Sequence, residues 1–487
     1  MYKKVFGLLL TLPLVLNGIA VSAAQSDDEE KIFPTGLSEY NAIEIPEEEL
    51  QNYVVEMPEQ TNDMYVLSDD MPSFYSCGSD YGYNFLGTLK NGPALQDCYS
   101  TLKELSETFA ASANDAAKIE NNGENLYLLT SFEYIPGYPG RITFPALSEE
   151  DVVNVYYTFR QDHPEYYWLS TTIHFGLFNN RAYLMPIIDE DYAKFSKRSE
   201  LDSVMDENFN KILKKAEDKM PDMYMAIMQV HDDICDATDY GYDPEGNPLN
   251  TPEAHNIQGV LDGDGKADAV CESYAKTTQL LLNALGIPNV LVVGMANGGG
   301  HAWNTSMLND GKYYYFDVTW DDRGNGTKTK NYFARGSSGF AGVVSFANDS
   351  WDFDGYRGDT PGIHYPYSKA LADAMAAEGY NAFGYFQYDL PEISVNDYVY
   401  TPITDKIVNT SITAVSGGGY RISPDRTLPN GCKLYTAQYD RYGTLIDVKI
   451  TNDEVTLTPE AGTVEIKAFV LNSSLKPYSD MKRVKIR

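Results

Sequence analysis

Positive charge is scarce in this sequence: 37 Lys and Arg stand against 70 Asp and Glu, a formal charge of −33 over 487 residues. Such a chain repels nucleic-acid phosphates and anionic lipid at long range, which argues against nucleic acid as a partner. Histidine and cysteine are also few, six and five. With no HExxH and no pair of CxxC motifs, a zinc site would need scattered ligands, and nothing argues for a metal centre. Beyond the N-terminus no apolar run approaches the roughly 18 residues a membrane helix needs, so no membrane span is expected. No repeat at a fixed period is found, which excludes a solenoid or propeller. What remains is 43% hydrophobic and 13% aromatic, enough to pack cores in about three domains.

The first residues read as an export signal. Lys3 and Lys4 precede an apolar stretch from Val5 to Val21, and Val21-Ser22-Ala23 supplies the small residues suited to signal peptidase. Pro13 interrupts the stretch, which favours cleavage over an uncleaved anchor. A secreted, extracellular protein with a signal peptide over 1–24 is therefore expected. Residues 25–62 carry clustered acids (Asp27 to Glu30, Glu47 to Glu49) with little apolar periodicity and read as a solvated linker.

Residues 63–198 mix helix and strand signals, an α+β domain. Ser148-Glu149-Glu150-Asp151 has the form of a reciprocal helix cap, followed by Val152, Val155 and Tyr156 as an apolar stripe. Leu126 to Tyr134 and Ile173 to Ile188 are rich in aromatic and β-branched residues, with Asn179-Asn180 as a turn. Ser199-Glu200-Leu201-Asp202 reads as a second capped start, for a helix to about Met220. Pro221 then sits where a further helix begins, with Met223, Ile227, Val230 and Ile234 on its core face. Residues 199–400 form the region that carries chemistry. From 405 to 487 short strands follow one another, Cys432 to Tyr439, Leu445 to Ile450 and Val464 to Leu471, which suggests an immunoglobulin-like β-sandwich as an accessory domain.

The informative stretch runs from Gly259 to Asp322. Cys271 opens a helix whose apolar face is Tyr274, Ala275, Thr278, Leu281, Leu282 and Leu285, and which Gly286 and Pro288 end. A thiol at a helix N-terminus meets the positive end of the dipole, and the first-turn amides can hold an oxyanion beside it. A lone cysteine is more often an inert core residue, so the neighbours decide. Asn289 to Met295 reads as a buried strand, Gly298-Gly299-Gly300 as a flexible run, and His301 as the start of a strand that hairpins back. If Asn309-Asp310-Gly311 form a three-residue loop with Gly311 left-handed, Leu308 pairs with Lys312 and Trp303 falls opposite Asp317. His301 then lies one diagonal step from Asp317 on the same face, within reach of two polar side chains. A two-residue loop would separate them. A histidine between a thiol and a carboxylate can take the thiol proton, protonate a leaving group and be held in one tautomer by the acid.

Three strings in order, Val270-Cys271-Glu272-Ser273-Tyr274-Ala275, Gly300-His301-Ala302-Trp303-Asn304 and Phe316-Asp317-Val318-Thr319-Trp320-Asp321, resemble the transglutaminase-like superfamily of papain-type thiol enzymes. The resemblance covers about 221–333 and implies an α+β papain-like core, a Cys271, His301, Asp317 triad, an acyl-thioester intermediate and no cofactor. It implies a peptide or protein substrate, cell-wall peptide among the candidates, and either hydrolysis, as in a cysteine protease or amidase, or acyl transfer to an amine. Glu272 stands where animal transglutaminases usually carry Trp, which argues against protein cross-linking. A non-catalytic binding or scaffold protein built on the same fold is the alternative.

Other features are weaker. Tyr240 and Tyr242 are candidates to lend a phenol to the oxyanion or substrate site. Asp262-Gly263-Asp264-Gly265 resembles a calcium loop but lacks the bidentate acid at its end, where Cys271 stands, so a surface turn is the reading. Cys77 and Cys98 are candidates for a bridge among three pairings that remain open, with Cys271 kept as a free thiol. His163, His174, His231, His255 and His364 lack a matching acid at readable spacing and are expected to be structural or exposed. Trp320 is expected to be a large buried residue.

Overall fold

A computed structural model describes residues 41–46, 49, 54–56, 71–121, 124–129, 142–144, 146–296, 299–324, 326–340, 364–366, 389–402, 408–428, 431–441, 443–471, 478–479 and 481–486. The export signal over 1–24 lies outside them. Strands β1 (Asn41–Glu44), β2 (Val54–Glu56), β3 (Ala117–Asn121), β4 (Glu124–Leu128), β5 (Ile142–Phe144), β6 (Leu169–Phe178) and β7 (Arg181–Ile188) form one sheet in the order β1-β6-β7-β4-β3-β2, with β5 also on β7. Asn179 and Asn180 both adopt positive φ, 50° and 58°, the backbone of a two-residue hairpin turn. β1 pairs parallel with β6 and β2 antiparallel with β3, so the acidic segment read as a linker supplies both edges of this sheet. Ile43 and Ile45 alternate with Glu44, and the short period-2 pattern is masked by the surrounding acids.

Helices α1 (Tyr81–Thr88), α2 (Gly92–Ala110) and α3 (Glu149–Asp162) accompany the sheet. The expected reciprocal cap is present on α3: the Asp151 amide donates to Ser148 Oγ at 3.1 Å and the Ser148 amide to Asp151 Oδ2 at 2.9 Å. Helix α4 (Phe195–Glu217) starts four residues before the expected Ser199. Its first amide is satisfied from far along the chain, Phe195 N–H donating to Asp115 Oδ1 at 2.9 Å while Lys194 pairs with the same carboxylate. Ser199 is thus inside the helix, and so is the expected 198/199 domain boundary. Helix α5 (Met223–Ala237) is capped by Asp222, which accepts from Met225 N–H at 3.1 Å, so Pro221 precedes the cap. Its core face is as expected: Ile227, Val230 and Ile234 are buried.

Helix α6 (Cys271–Ala284) is buried on nearly every side and ends where Gly286 takes a φ of 71°. Strands β8 (Asn289–Ala296), β9 (Gly299–Met307), β10 (Tyr313–Phe316) and β11 (His364–Pro366) make a second sheet ordered β10-β9-β8-β11. Gly299 and Gly300 belong to β9, opposite Ala296 and Met295, so that part of the glycine run is sheet. One apolar core joins both sheets and their helices, with Phe74, Trp168, Phe209, Ile227, Leu281 and Phe316 among its buried members. Strands β12 (Thr410–Val415), β13 (Gly419–Pro424), β14 (Lys433–Tyr439), β15 (Leu445–Thr451), β16 (Val455–Leu457), β17 (Glu465–Leu471) and β18 (Lys482–Lys485) form two small antiparallel sheets, β12-β13-β16 and β15-β14-β17-β18. These share a separate core of residues such as Ile422, Leu434, Leu457 and Ile466. All five cysteines are buried, separate thiols, so Cys77 and Cys98 are not bridged. Among the described residues no helix is long and apolar enough to cross a membrane.

Candidate active site

The β9–β10 hairpin has the register argued from its loop. Tyr313 pairs with Met307 and Phe316 with Asn304. Gly311 has a φ of 80° and donates its amide to Leu308 O, while Leu308 N–H donates to Lys312 O at 3.0 Å. Continued by one residue, this register sets Asp317 opposite Trp303 and one diagonal step from His301. The side chains meet there: His301 Nε2 lies 2.7 Å from Asp317 Oδ2. The other carboxylate oxygen accepts the Trp320 amide at 3.1 Å, capping the helical turn Val318–Asp321. Asp317 is thus fixed from two directions.

The imidazole is also hydrogen-bonded to the Cys271 side chain. With Nε2 taken by Asp317, Nδ1 is the nitrogen turned to the sulfur. Burial works against a charged ring here, but Asp317 and then Cys271 outweigh it and raise the His301 pKa to about 10. Two indoles flank the ring, Trp303 at 5.8 Å and Trp320 at 5.1 Å between centroids, and their π-faces favour its cationic form. Sequence reasoning missed this sandwich, although His301 and Trp303 stand two apart in a strand and must share a face. Trp320 itself is only half-buried, contrary to expectation; Trp303, 1% exposed, is the packed tryptophan.

Cys271 is the first residue of α6, and its residue surface is 0% exposed. Val270 gives no side-chain cap; the Ser273 amide bonds back to Val270 O at 2.9 Å, and the Cys271 amide turns to another acceptor. One acceptor is found: Cys271 N–H donates to the Tyr240 phenol oxygen. Burial, then the nearby Cys271 sulfur, push the Tyr240 phenol well above its ordinary 10, so it stays protonated and able to donate. An isolated bridge between Tyr240 and Ala269 holds Tyr240 against the entrance to α6. Tyr242 packs on the Tyr240 ring at 5.0 Å but is 57% exposed, and among the bonds described it makes none to the Cys271 group. Thiol, imidazole and carboxylate thus stand in series, with an amide and a phenol beside the sulfur.

Glu272, next to Cys271, turns away from this group into a buried ionic cluster. Its carboxylate accepts from Lys276 Nζ at 2.6 Å and lies 3.1 Å from His255 Nδ1, while Lys276 also donates to His255 O at 2.8 Å. Burial alone would raise its pKa; Lys276 and then His255 prevail and hold it well below the usual carboxylate range. Three histidines expected to lack acid partners have them: His255 with Glu272, His163 with Glu165 at 2.6 Å, and His231 with Asp321 at 3.3 Å and Asp232 at 3.0 Å. His174 is buried, and burial lowers its pKa to about 4. His364 lies in β11.

As for metal ligands, Asp262, Asp264 and Asp268 bring carboxylate oxygens within 4.8 Å of one another. Lys266 pairs with Asp264, and the Asp264 and Lys266 amides close turns onto Asp262 and Asp264 side chains. Gly263 and Gly265 take φ of 73° and 70°. The segment is an acidic turn leading into α6.

No curated protein matches the chain. Among solved structures, one described as the crystal structure of a TGase is 16% identical with a TM-score of 0.24, over 42% of this chain and 65% of that one. An endonuclease/exonuclease/phosphatase from Beutenbergia cavernae DSM 12333 is 13% identical with a TM-score of 0.13, over 16% of this chain and 22% of that one. This chain thus spans less than two thirds of either. The family model that matches, over residues 211–318, is that of the transglutaminase-like superfamily, and it encloses α5, α6 and the hairpin that joins His301 to Asp317. Residues 211–318 are a transglutaminase-like superfamily domain.

Proposed function

We propose that this chain is an exported thiol enzyme that cleaves or transfers an acyl group at a peptide or side-chain amide, with Cys271 as nucleophile, His301 as acid and base, and Asp317 as the group that orients the imidazole. The observation that carries the reading is the continuous series Cys271, His301, Asp317, with the 2.7 Å bond at its far end. Cys271 Sγ attacks the amide carbon, its proton already held on the His301 ring, whose raised pKa keeps it charged below about pH 10. The oxyanion displaces the Tyr240 oxygen from the Cys271 amide and accepts from that amide and from the Tyr240 hydroxyl. His301 then protonates the departing nitrogen, the C–N bond breaks, and a thioester remains on Cys271. Water or an amine attacks the thioester, gives its proton to His301, and returns the thiolate. The N-terminal Lys3, Lys4 and apolar stretch to Val21 support export, and the substrate class proposed is a peptide or protein outside the cell.

The test incubates the mature chain and its Cys271→Ala form with a mixed peptide pool and a primary amine, read by mass spectrometry. New peptide termini identify a protease, glutamate formed from glutamine an amidase, and amine adducts a transferase; each should vanish in Cys271→Ala. If neither form changes any peptide while both bind the same ones, the domain is a binding platform and the enzymatic reading fails.

A further inference from the structure

Strand β15 has an unusual distribution of side chains. It forms one edge of the sheet β15-β14-β17-β18, and among the described residues no strand pairs with its outer side. The opposite edge, β18, is engaged: Arg483 hydrogen-bonds the Cys77 thiol of the N-terminal region. In β15, Ile446, Val448 and Ile450 share the face turned away from the module's core and are 37%, 43% and 49% exposed. They continue a row that includes the stacked rings of Tyr435 and Phe469, 5.8 Å apart and nearly parallel. Asp447 and Lys449 lie on the other face, opposite Gln438 and Thr436, and Gln438 donates to Asp447 Oδ2 at 3.3 Å. An apolar, solvent-facing edge with unpaired backbone groups is a template for another strand.

We propose that this edge pairs with β15 of a second copy of the chain, antiparallel about a two-fold axis through Val448. The sequence Leu445-Ile446-Asp447-Val448-Lys449-Ile450-Thr451 is complementary to itself in that register and in no neighbouring one. With Val448 opposite Val448 of the second copy, each Asp447 faces a Lys449 and each Ile446 faces an Ile450. A shift of two residues sets Asp447 opposite Asp447, or Lys449 opposite Lys449, and like charges directly opposite destabilise a strand pair. A shift of one sets the apolar face of one strand against the charged face of the other. The paired sheets become one continuous sheet across both copies, and the apolar row on its outer face doubles in length. The formal charge of −33 repels two copies as wholes, so pairing strengthens with salt that screens this repulsion over about 8–10 Å.

Sedimentation velocity on the full mature chain in physiological salt tests the proposal, with circular dichroism and thermal melting to establish that each variant is folded. The wild type should show a concentration-dependent dimer. Asp447→Lys alone and Lys449→Asp alone each set two like-charge pairs across the axis and should weaken the dimer about tenfold or more. The double exchange Asp447→Lys with Lys449→Asp recreates both opposite-charge pairs and should restore it. Restoration is the outcome that a merely structural role for either residue does not produce. A second probe, Val448→Lys, places two cations on the axis and should give a monomer. The same two charges can instead serve to keep an edge strand single. A wild type that stays monomeric to its solubility limit establishes that reading and overturns the proposal. A dimer indifferent to the single exchanges, or one not restored by the double, overturns it as well.

Discussion

Replacing Asp317 by asparagine tests the proposed triad most directly, because it removes one charge and leaves nearly every contact in place. The substituted amide keeps an oxygen that can accept the Trp320 N–H, so the cap on the helical turn survives. What is lost is the attraction between the carboxylate and the charged imidazole. At about 1.4 kcal/mol per pH unit, the rise of His301 from the ordinary 6.5 to about 10 is roughly 5 kcal/mol of preference for the charged ring, supplied against burial by Asp317 first and Cys271 second. One opposite charge at this distance typically accounts for about 1–3 pH units, so in Asp317→Asn the ring should titrate that much lower. Stability follows with a definite sign. A histidine whose folded pKa is raised adds stability that is complete below the unfolded value near 6.5 and is lost as pH climbs through the folded one near 10. The wild type should therefore exceed the variant most below pH 6.5, and the gap should close toward pH 10.

Turnover should fall further than stability. In serine enzymes the equivalent exchange costs about ten-thousand-fold in kcat because the amide favours the wrong tautomer, and a loss of that order is expected here with little change in KM. The assay pairs nitrogen-detected titration of the His301 ring with kcat on the peptide substrate identified by mass spectrometry. A ring that still titrates near 10 in the variant would falsify the role given to Asp317. So would a kcat reduced less than about tenfold in a folded protein.

Tyr240→Phe should lower kcat by about a hundredfold or more by removing one oxyanion donor, whereas Tyr242→Phe, on an exposed ring, should leave it unchanged; steady-state kinetics on both variants decides. Trp303→Ala should destabilise by about 3–5 kcal/mol in urea titration, and Trp320→Ala, on a half-buried ring, by distinctly less. Both should lower the His301 pKa by thinning its aromatic sandwich, and a pKa left near 10 in both would dismiss that contribution. Glu272→Gln should cost about 3–5 kcal/mol, since it strands the buried Lys276 ammonium, and Glu272→Met with Lys276→Met should recover most of it. The Glu272 carboxyl is held below its unfolded value, so its stabilising effect is present above about pH 4.5 and fades as pH falls through the depressed one. Urea midpoints that follow the same acid limb in wild type and Glu272→Gln would count against this assignment.

Which parts of this arrangement were legible in the sequence depends on how far the decisive partner lies along the chain. The hairpin register rests on a loop of three residues and the period-2 geometry of the strands beside it, and it follows from Gly311 and a count. The ends of α6 are equally local: the helix begins where Cys271 follows Val270 and stops at Gly286 and Pro288. The start of α4 is different. Ser199-Glu200-Leu201-Asp202 has the composition of a cap, but Asp115 satisfies the Phe195 amide, and no local pattern announces an acceptor 80 residues away. Asp202 then turns to Tyr75 and Tyr167, whose hydroxyls donate to it at 3.0 Å each. Glu272 and Lys276 mark the intermediate case. Their i,i+4 spacing is readable and suggests a pair, yet spacing cannot tell a solvated pair from a buried one. Here α6 is enclosed by α5, β8 and β9, and burial turns a surface motif into an ionic cluster with His255. The same enclosure explains why Glu follows the thiol. A side chain at that position points from α6 into the protein's interior, where Lys276 holds it, so the residue behind Cys271 is chosen by the interior and the chemistry proposed beside the sulfur is left to Tyr240, His301 and the helix's own first amide.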